Sequence, residues 1–322
     1  MSVDFTVSIC TYNGANRVPE VLDKLQKQTG TEKIKWEVIV VDNNSDDNTA
    51  SVVFDYVQSW RKDSELRYVF EGKQGVSYAR NRAVKEARSR ELIGFLDDDN
   101  LPAENWLAEA YRFGQEHPQA GAYGGVINAK LDEPLPSYFE EVKVFLAISN
   151  RGSIPFCYER SAKPRRIPAA PGSVIRKQAW QDCVPEKLLL QGRDEKNKTM
   201  LGACEDLEVM YRIQNGNWEV WHNPKMEIWH HIPAKRLEKQ YLLEIARTSG
   251  LSNHALRIAR LHQWQRPVLV FLTPLYLLSD SRKVLTYYLQ HRHKLTEDIG
   301  TACEFESKLG QLLSPFVMHQ WL

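Results

Sequence analysis

Four short apolar runs in the first hundred residues, each ended by polar residues and separated by a helix-like segment, restrict what this chain can fold into. FTVSIC (5 to 10), WEVIVVD (36 to 42), LRYVF (66 to 70) and LIGFLD (92 to 97) are rich in Val, Ile and Phe. Near-continuous runs of this kind suit strands covered on both faces. Between them, VPEVLDKLQKQ (18 to 28), NTASVVFDYVQSWRK (48 to 62) and VSYARNRAVKEARSR (76 to 90) read as helices. Repeated strand and helix predicts an α/β fold, a doubly wound, mostly parallel sheet with right-handed crossovers, flanked by helices. With 322 residues, 43% of them hydrophobic, the chain is long enough for one large domain or two smaller ones.

In such sheets ligands bind beyond the carboxyl ends of the strands, where the strand order reverses. Those ends carry Thr11-Tyr12-Asn13, Asp42-Asn43-Asn44 and Asp97-Asp98-Asp99. Three consecutive carboxylates repel: at about 5 Å and an effective dielectric of about 20, each pair costs about 3 kcal/mol unless a positive charge is held there. A solvated acidic turn would explain DDDN alone, but not its sharing one sheet edge with two other polar clusters. Asp97 and Asp99 form D-x-D, and a hard divalent cation held by one or two carboxylates keeps waters or substrate phosphates as its other ligands. Asp42 is placed to accept hydrogen bonds from a base or ribose. Arg80, on a helix between these ends, offers a fork of donors to a phosphate or base, with an ordinary surface arginine as the alternative.

Other binding classes are excluded by motif and charge. The first turn, CTYNGANRVP, has one Gly where a dinucleotide fingerprint needs three, and no P-loop pattern occurs. Lys plus Arg at 42 against Asp plus Glu at 41 makes no case for nucleic acid. The five cysteines are scattered without a CxxC pair, which predicts free thiols and a cytoplasmic protein. MSVDFTVSIC has no basic segment leading into an apolar stretch, so no signal peptide is expected. PVLVFLTPLYLL (267 to 278) contains Pro274 and falls short of the roughly 20 residues a membrane span requires, so no transmembrane helix is expected.

VSICTYNGA, EVIVVDNNSDDNT, GVSYARNRA and GFLDDDN, in this order and spacing, resemble the N-terminal half of a family 2 glycosyltransferase with the GT-A fold, over about residues 3 to 130. The resemblance implies transfer of a sugar from a nucleoside diphosphate donor to an acceptor hydroxyl, with inversion and a bound Mg²⁺ or Mn²⁺. It implies that Thr11, Tyr12, Asn13, Asp42 and Arg80 face the nucleoside or its phosphates. It places Asp97 near ribose and metal, Asp98 beside the donor, and Asp99 as the direct metal ligand. In LGACEDLEVMYRIQNG (201 to 216) the acids could simply complement a helix macrodipole. The resemblance makes Asp206 the catalytic base and Glu205 its partner, with Cys204 where the family usually has Gly. EIWHHIPAKR (227 to 236) resembles the family's short His motif, which implies His230 as a further metal ligand; a packed or hydrogen-bonded histidine is the alternative. RRIPAAPGSVIRKQAW (165 to 180) resembles the small-residue segment lining the sugar pocket, through Gly172. The RGSIPF region (151 to 156) and part of the tail resemble hormogonium-type polysaccharide glycosyltransferases.

This organisation gives a nucleotide-sugar-binding half (1–130), an acceptor and catalytic-base half of the same domain (131–246) and a helical C-terminal extension (247–322). From Arg247 to Lys294 eight Arg and Lys residues face one acid, Asp280, interleaved with Trp264, Phe271, Tyr276, Tyr287 and Tyr288. Such a stretch suits peripheral contact with an anionic leaflet, with a helical bundle packed on the catalytic domain or a homodimer contact as alternatives. No nucleic-acid motif accompanies it. EFESKLGQLLSPF reads as an amphipathic helix ended by Pro315. The expected acceptor is a glycan or a lipid-linked species. A non-catalytic nucleotide-sugar-binding partner protein would have no need of Asp97, Asp99 and Asp206. A sugar nucleotidyltransferase would carry a Gly-rich basic loop after the first strand, where only Arg17 stands.

Overall fold

The structure, a computed structural model, describes residues 3–162, 164–192 and 203–318. In chain order its elements are β1 (Val3–Thr11), α1 (Val18–Gln26), β2 (Trp36–Asp42), α2 (Thr49–Ser59), β3 (Glu65–Phe70), α3 (Val76–Glu86), β4 (Ser89–Asp97), β5 (Asn100–Pro102), α4 (Trp106–Glu116) and β6 (Ala120–Leu131). There follow α5 (Phe139–Val142), β7 (Phe156–Cys157), β8 (Val174–Arg176), α6 (Lys177–Cys183), α7 (Glu205–Asn215), β9 (Glu219–Ile232), α8 (Lys239–Leu251), α9 (Asn253–Ala259), α10 (Arg266–His291) and α11 (Ile299–Met318).

Among the described residues nine strands form one mixed sheet in the order β3-β2-β1-β4-β8-β6-β9-β5, with β7 on β9. The run from β3 to β4 is parallel, and β1 lies between β2 and β4, so the strand order reverses there. Later strands add antiparallel pairs: β8 joins β4 to β6, and β5 folds back onto β9. The expected α/β sheet, parallel in its N-terminal part and flanked by helices, is therefore present.

Two apolar layers sandwich this sheet because successive strand side chains point to opposite faces. Phe5, Val7 and Ile9 of β1 and Val38 and Val40 of β2 pack with Leu22 of α1 and Trp106 of α4. Ile39 and Val41 point the other way, to Ala79 and Ala83 of α3 and Ile213 of α7. Each buried Val, Leu, Ile or Phe stabilises the fold by about 1.5–3 kcal/mol relative to exposure, so the strand ends are held by a core on both sides.

Two differences from the boundaries read in the sequence have a clear physical reason. The third helix stops at Glu86 and not at residue 90, because Ala87 turns extended and Ser89 already pairs with Val3 of β1. Pro315 does not end the last helix, which continues to Met318. A proline removes the N–H that would bond the carbonyl four residues back, and here the Ser314 hydroxyl donates to that carbonyl, Gln311 O, at 2.7 Å. Pro274 likewise lies inside α10. Among the described residues no helix is long and apolar enough to cross a membrane.

The C-terminal helices pack back on the sheet domain. α8 and α11 cross at two glycines: a Cβ on Gly250 would lie 2.1 Å from Ser307 O, and one on Gly310 would lie 2.2 Å from Arg247 O. Backbone meets backbone there, and no side chain fits between. Gly310→Leu should lower the free energy of unfolding by about 1–3 kcal/mol or more through overpacking, measured by urea denaturation. An unchanged midpoint would mean that α11 does not rest on α8.

Candidate active site

A cavity of about 490 Å³ opens at the carboxyl ends of β1 and β4, in the size range of small-ligand sites. It lies at the strand-order reversal, where Cys10 of β1 pairs with Asp97 of β4. The first half of the chain supplies Thr11, Tyr12, Asn43, Arg80 and Asp97 to Asp99; the second supplies Glu205, Asp206, His230 and Arg236. Residues nearly two hundred positions apart thus share one cavity.

The three aspartates point to three different cations. Asp98 takes both ends of the Arg17 guanidinium, Nε to Oδ1 at 3.0 Å and Nη2 to Oδ2 at 2.8 Å, and accepts the Thr11 hydroxyl at 2.6 Å. It fixes the loop after β1. Asp99, 8% exposed, accepts from Arg236 Nη1 at 2.8 Å and lies 3.4 Å from His230 Nε2. Burial pushes its carboxyl up, but His230 when protonated, together with Arg236, outweighs burial and holds it below the usual carboxylate range. Asp97 stands 3.4 Å from Arg80 Nη2. The turn is ordered by fully buried Asn100, which accepts from the Asp97 amide and donates to Asp99 Oδ1.

β5 brings His230 to this turn, since Asn100 pairs with His230 across the β5–β9 ladder. The His230 Nδ1 lies 3.0 Å from Leu146 O. A ring whose Nδ1–H donates to a carbonyl presents the Nε2 lone pair on its other side. That atom faces Asp99 and accepts from Arg236 Nη1 at 3.0 Å. His231 points elsewhere, to Asp132 at 2.6 Å. The Arg236 guanidinium therefore sits between Asp99 and His230, a positive charge drawn to a site made of a carboxylate and an imidazole. Among the described residues no three His, Cys, Asp or Glu side chains are already gathered into a cluster that would hold a metal ion.

Across the cavity, α7 begins at Glu205. Its preceding residue, Cys204, has φ +71°, a left-handed backbone that favours glycine and costs other residues about 1–2 kcal/mol. Positions 201 and 202 of the same segment lie outside the described residues. Glu205, 7% exposed, accepts from Arg80 Nη1 at 2.7 Å. Burial pushes its carboxyl up to about 7 against the pull of Arg80, with Asp206 adding to the rise. Asp206 is half-buried and accepts the Leu207 amide on Oδ1 at 2.8 Å. The third acid of this turn, Glu208, is fully buried and bonded to the Leu189 and Leu190 amides and to Arg212. It is structural.

Three expected residues stand back from the cavity wall. Asp42 is 2% exposed, with Oδ2 accepting from Tyr68 OH at 2.7 Å and Oδ1 from the Ser45 amide at 2.9 Å; its neighbour Asn43 lines the cavity instead. Asn13, at φ +49°, ties the loops after β1 and β2 by accepting from the Asp46 amide and donating its own amide to Ser45 Oγ. Gly172, at φ +68°, lies against Ile228 with its carbonyl bonded to Trp106 Nε1, while Ala169, Ala170 and Pro171 form the wall beside it. Sequence reasoning passed over Arg236 and the cavity role of Arg17. The basic residue at the end of EIWHHIPAKR and the lone cation of CTYNGANRVP were the available signals.

Residues 6–173 match the sequence profile of glycosyl transferase family 2. The chain belongs to that family. It is 33% identical over 102 residues to the glycosyltransferase AglE of Haloferax volcanii, covering 32% of each chain. It is 28% identical over 238 residues to the uncharacterized glycosyltransferase MG025 homolog of Mycoplasma pneumoniae, covering 70% of this chain and 74% of that one. The matched stretch is thus about a third of AglE, and a quarter (25%) of YfnE from Bacillus subtilis. Among solved structures, the mannosyltransferase PcManGT from Pyrobaculum calidifontis, in complex with GDP-Man and Mn²⁺, superposes with a TM-score of 0.57 at 21% identity, over 97% of this chain and 88% of that one. At that identity the likeness concerns the fold, GT-A with a helical C-terminal region.

The Glu205 carboxyl supplies a pH test. A folded pKa of about 7 against 4.5 in the unfolded chain means that the fold favours the protonated form. The resulting penalty is absent below the unfolded value, grows as pH rises from 4.5 to about 7, and is constant above. Urea unfolding of Glu205→Gln and wild type at several pH values should therefore move in the variant's favour by on the order of 2 kcal/mol across that window. A pH-independent difference would show that Arg80 holds Glu205 ionised throughout.

Proposed function

We propose that this protein is an inverting, metal-dependent glycosyltransferase that moves a sugar from a nucleoside diphosphate donor to the hydroxyl of a glycan or lipid-linked acceptor, in polysaccharide or glycolipid synthesis. The observation that carries this reading is the convergence, in one cavity at the strand-order reversal, of Asp97, Asp99 and His230 on one wall with Asp206 on the other. In this reading residues 1–130 bind the donor, 131–246 bring the base and the acceptor, and 247–322 form a helical extension.

Asp97, Asp99 and the Nε2 of His230 would hold Mg²⁺ or Mn²⁺. The donor set supports this, since a hard cation accepts one or two carboxylates and takes its remaining oxygens from substrate phosphates. The place Arg236 occupies supports it too, because a cation is already drawn between Asp99 and His230. When bound, the ion would stabilise negative charge on the departing diphosphate.

The chain's own groups do the rest. Asp206 sits in the first turn of α7, beside the cavity. The Leu207 amide holds its Oδ1, which orients the carboxylate toward an acceptor hydroxyl. As that oxygen attacks the anomeric carbon, Asp206 takes its proton. The diphosphate leaves from the opposite face in the same displacement, so the configuration inverts once. Arg80 positions the base, because it bonds Glu205 and reaches Asp97. Arg17, through Asp98, holds the loop that carries Thr11 and Tyr12.

Asp206→Asn preserves shape but cannot accept the proton, so its turnover number should fall by about 10²- to 10⁴-fold while calorimetric donor affinity stays near wild type. Full transfer activity in this variant would remove Asp206 as the base. Asp99→Ala should make donor affinity indifferent to added Mn²⁺ in the same titration. A preserved Mn²⁺ response would place the ion elsewhere. Wild-type donor binding with no transfer to any acceptor would favour a non-catalytic nucleotide-sugar-binding protein.

A further inference from the structure

The C-terminal extension has an apolar face that its own fold leaves uncovered. Beginning at Trp264, just before α10, exposed apolar residues recur at steps of four and three residues through Val268, Phe271, Leu275 and Leu278; Arg282 takes the next place and Leu285 follows it. Residues at these steps lie on one stripe of a helix. Phe271 is 80% exposed, Trp264 76% and Leu278 71%. Exposed large hydrophobics scattered singly need no explanation, but a continuous apolar stripe marks an interaction surface. α10 spans 26 residues, and at about 1.5 Å per residue the stripe from Trp264 to Leu285 is about 32 Å long.

The opposite face anchors α10 to the protein. Tyr288 packs on Phe305 of α11, and the Tyr287 hydroxyl donates to Glu304 at 3.1 Å. Asp280, the single acid between Arg266 and Lys294, is 2% exposed and held by Arg257 at 2.6 Å and Lys283 at 3.0 Å. The exposed charges of α10 itself, Arg282 and Lys283, are therefore both positive, and Arg292 and Lys294 follow in the next turn ahead of Glu297.

That charge pattern selects the occupant. A second copy of α10 laid along the stripe would set Arg282 against another surface whose exposed charges are basic, with the one acid of each helix, Asp280, buried and already paired. An anionic phospholipid surface answers both features: the apolar side chains enter the boundary between headgroups and acyl chains, and the basic heads meet phosphates. Arg282, inside the stripe, has a stem long enough to lie with the apolar residues while its guanidinium reaches the headgroups. We propose that α10 is a membrane-docking helix that lies flat on an anionic leaflet through the stripe from Trp264 to Leu285. The proposal rests on the exposed face of this helix alone, not on the transferase reading.

The test is flotation of the full-length protein with phosphatidylcholine vesicles, with and without phosphatidylglycerol, at low and high salt. The expected result is recovery with the phosphatidylglycerol vesicles only, weakened by salt. Phe271→Ser and Leu278→Ser should each weaken recovery by about tenfold or more, from the loss of a buried apolar side chain. Arg282→Glu should weaken it several-fold. Circular dichroism and donor calorimetry on the same variants should match wild type, since these side chains project into solvent. Equal recovery with both vesicle types, or no effect of the substitutions, would overturn the proposal. So would a dimer in analytical ultracentrifugation that Phe271→Ser abolishes while wild type ignores vesicles; the stripe would then be an interface between copies.

Discussion

The geometry of the cavity depends on one buried ion pair, Arg80 with Glu205. Arg80 projects from α3, beside the parallel strands, and Glu205 opens α7, more than a hundred residues later. Their 2.7 Å contact, with Arg80 9% and Glu205 7% exposed, joins the two halves of the domain at the point where the chemistry is proposed to occur. Above about pH 7, where Glu205 is ionised, removing one partner strands the other charge away from water, which costs about 3–5 kcal/mol. The reach of Arg80 to Asp97 adds a third member, so the start of α7 and the end of β4 are set relative to each other by a single guanidinium.

The same economy of charge explains how DDD survives at the end of β4. The turn splays its carboxylates toward three cationic partners: Arg80 for Asp97, Arg17 for Asp98, and Arg236 for Asp99. Asn100 braces the turn from inside. The arrangement at Asp98 is closed by a single guanidinium. Asp98 has both oxygens engaged by Arg17, whereas Asp97 retains a partly exposed carboxylate, 37% for its side chain, facing the cavity. Three residues that look alike in sequence are thus given different surroundings, and through them different chemistry. α10 repeats the logic: Asp280 is buried and doubly paired, and the exposed charges left on that helix are of one sign.

Much of this was legible along the chain. The four strands and the helices between them, the convergence of Thr11, Asp97 and Asp99 at one sheet edge and the acidic start of a helix near Glu205 follow from patterns no longer than a dozen residues. Hydrophobic periodicity and turn chemistry act over that range. The readings that needed adjustment had a different character. Asp42 and Asn13 have side chains suited to a ligand, yet Tyr68 and the loop after β2 take them up. Pro315 has no N–H to continue a helix, yet a neighbouring serine answers the orphaned carbonyl and the helix runs on.

By itself, the sequence determined the α/β architecture and the edge at which the polar residues gather, because strand and helix periods and strand-ending residues are local properties. Tertiary structure alone decided which polar residues meet there. The choice of His230 over His231 is set by a strand register, Asn100 opposite His230, and a one-residue slip would have reversed it. The entry of Arg236 between Asp99 and His230, and the diversion of Glu208 into holding residues 189 and 190, follow from contacts between segments far apart in sequence. The exposure of the stripe on α10 was decided in the same way, since periodicity identifies an apolar face but only the packed fold shows whether anything covers it.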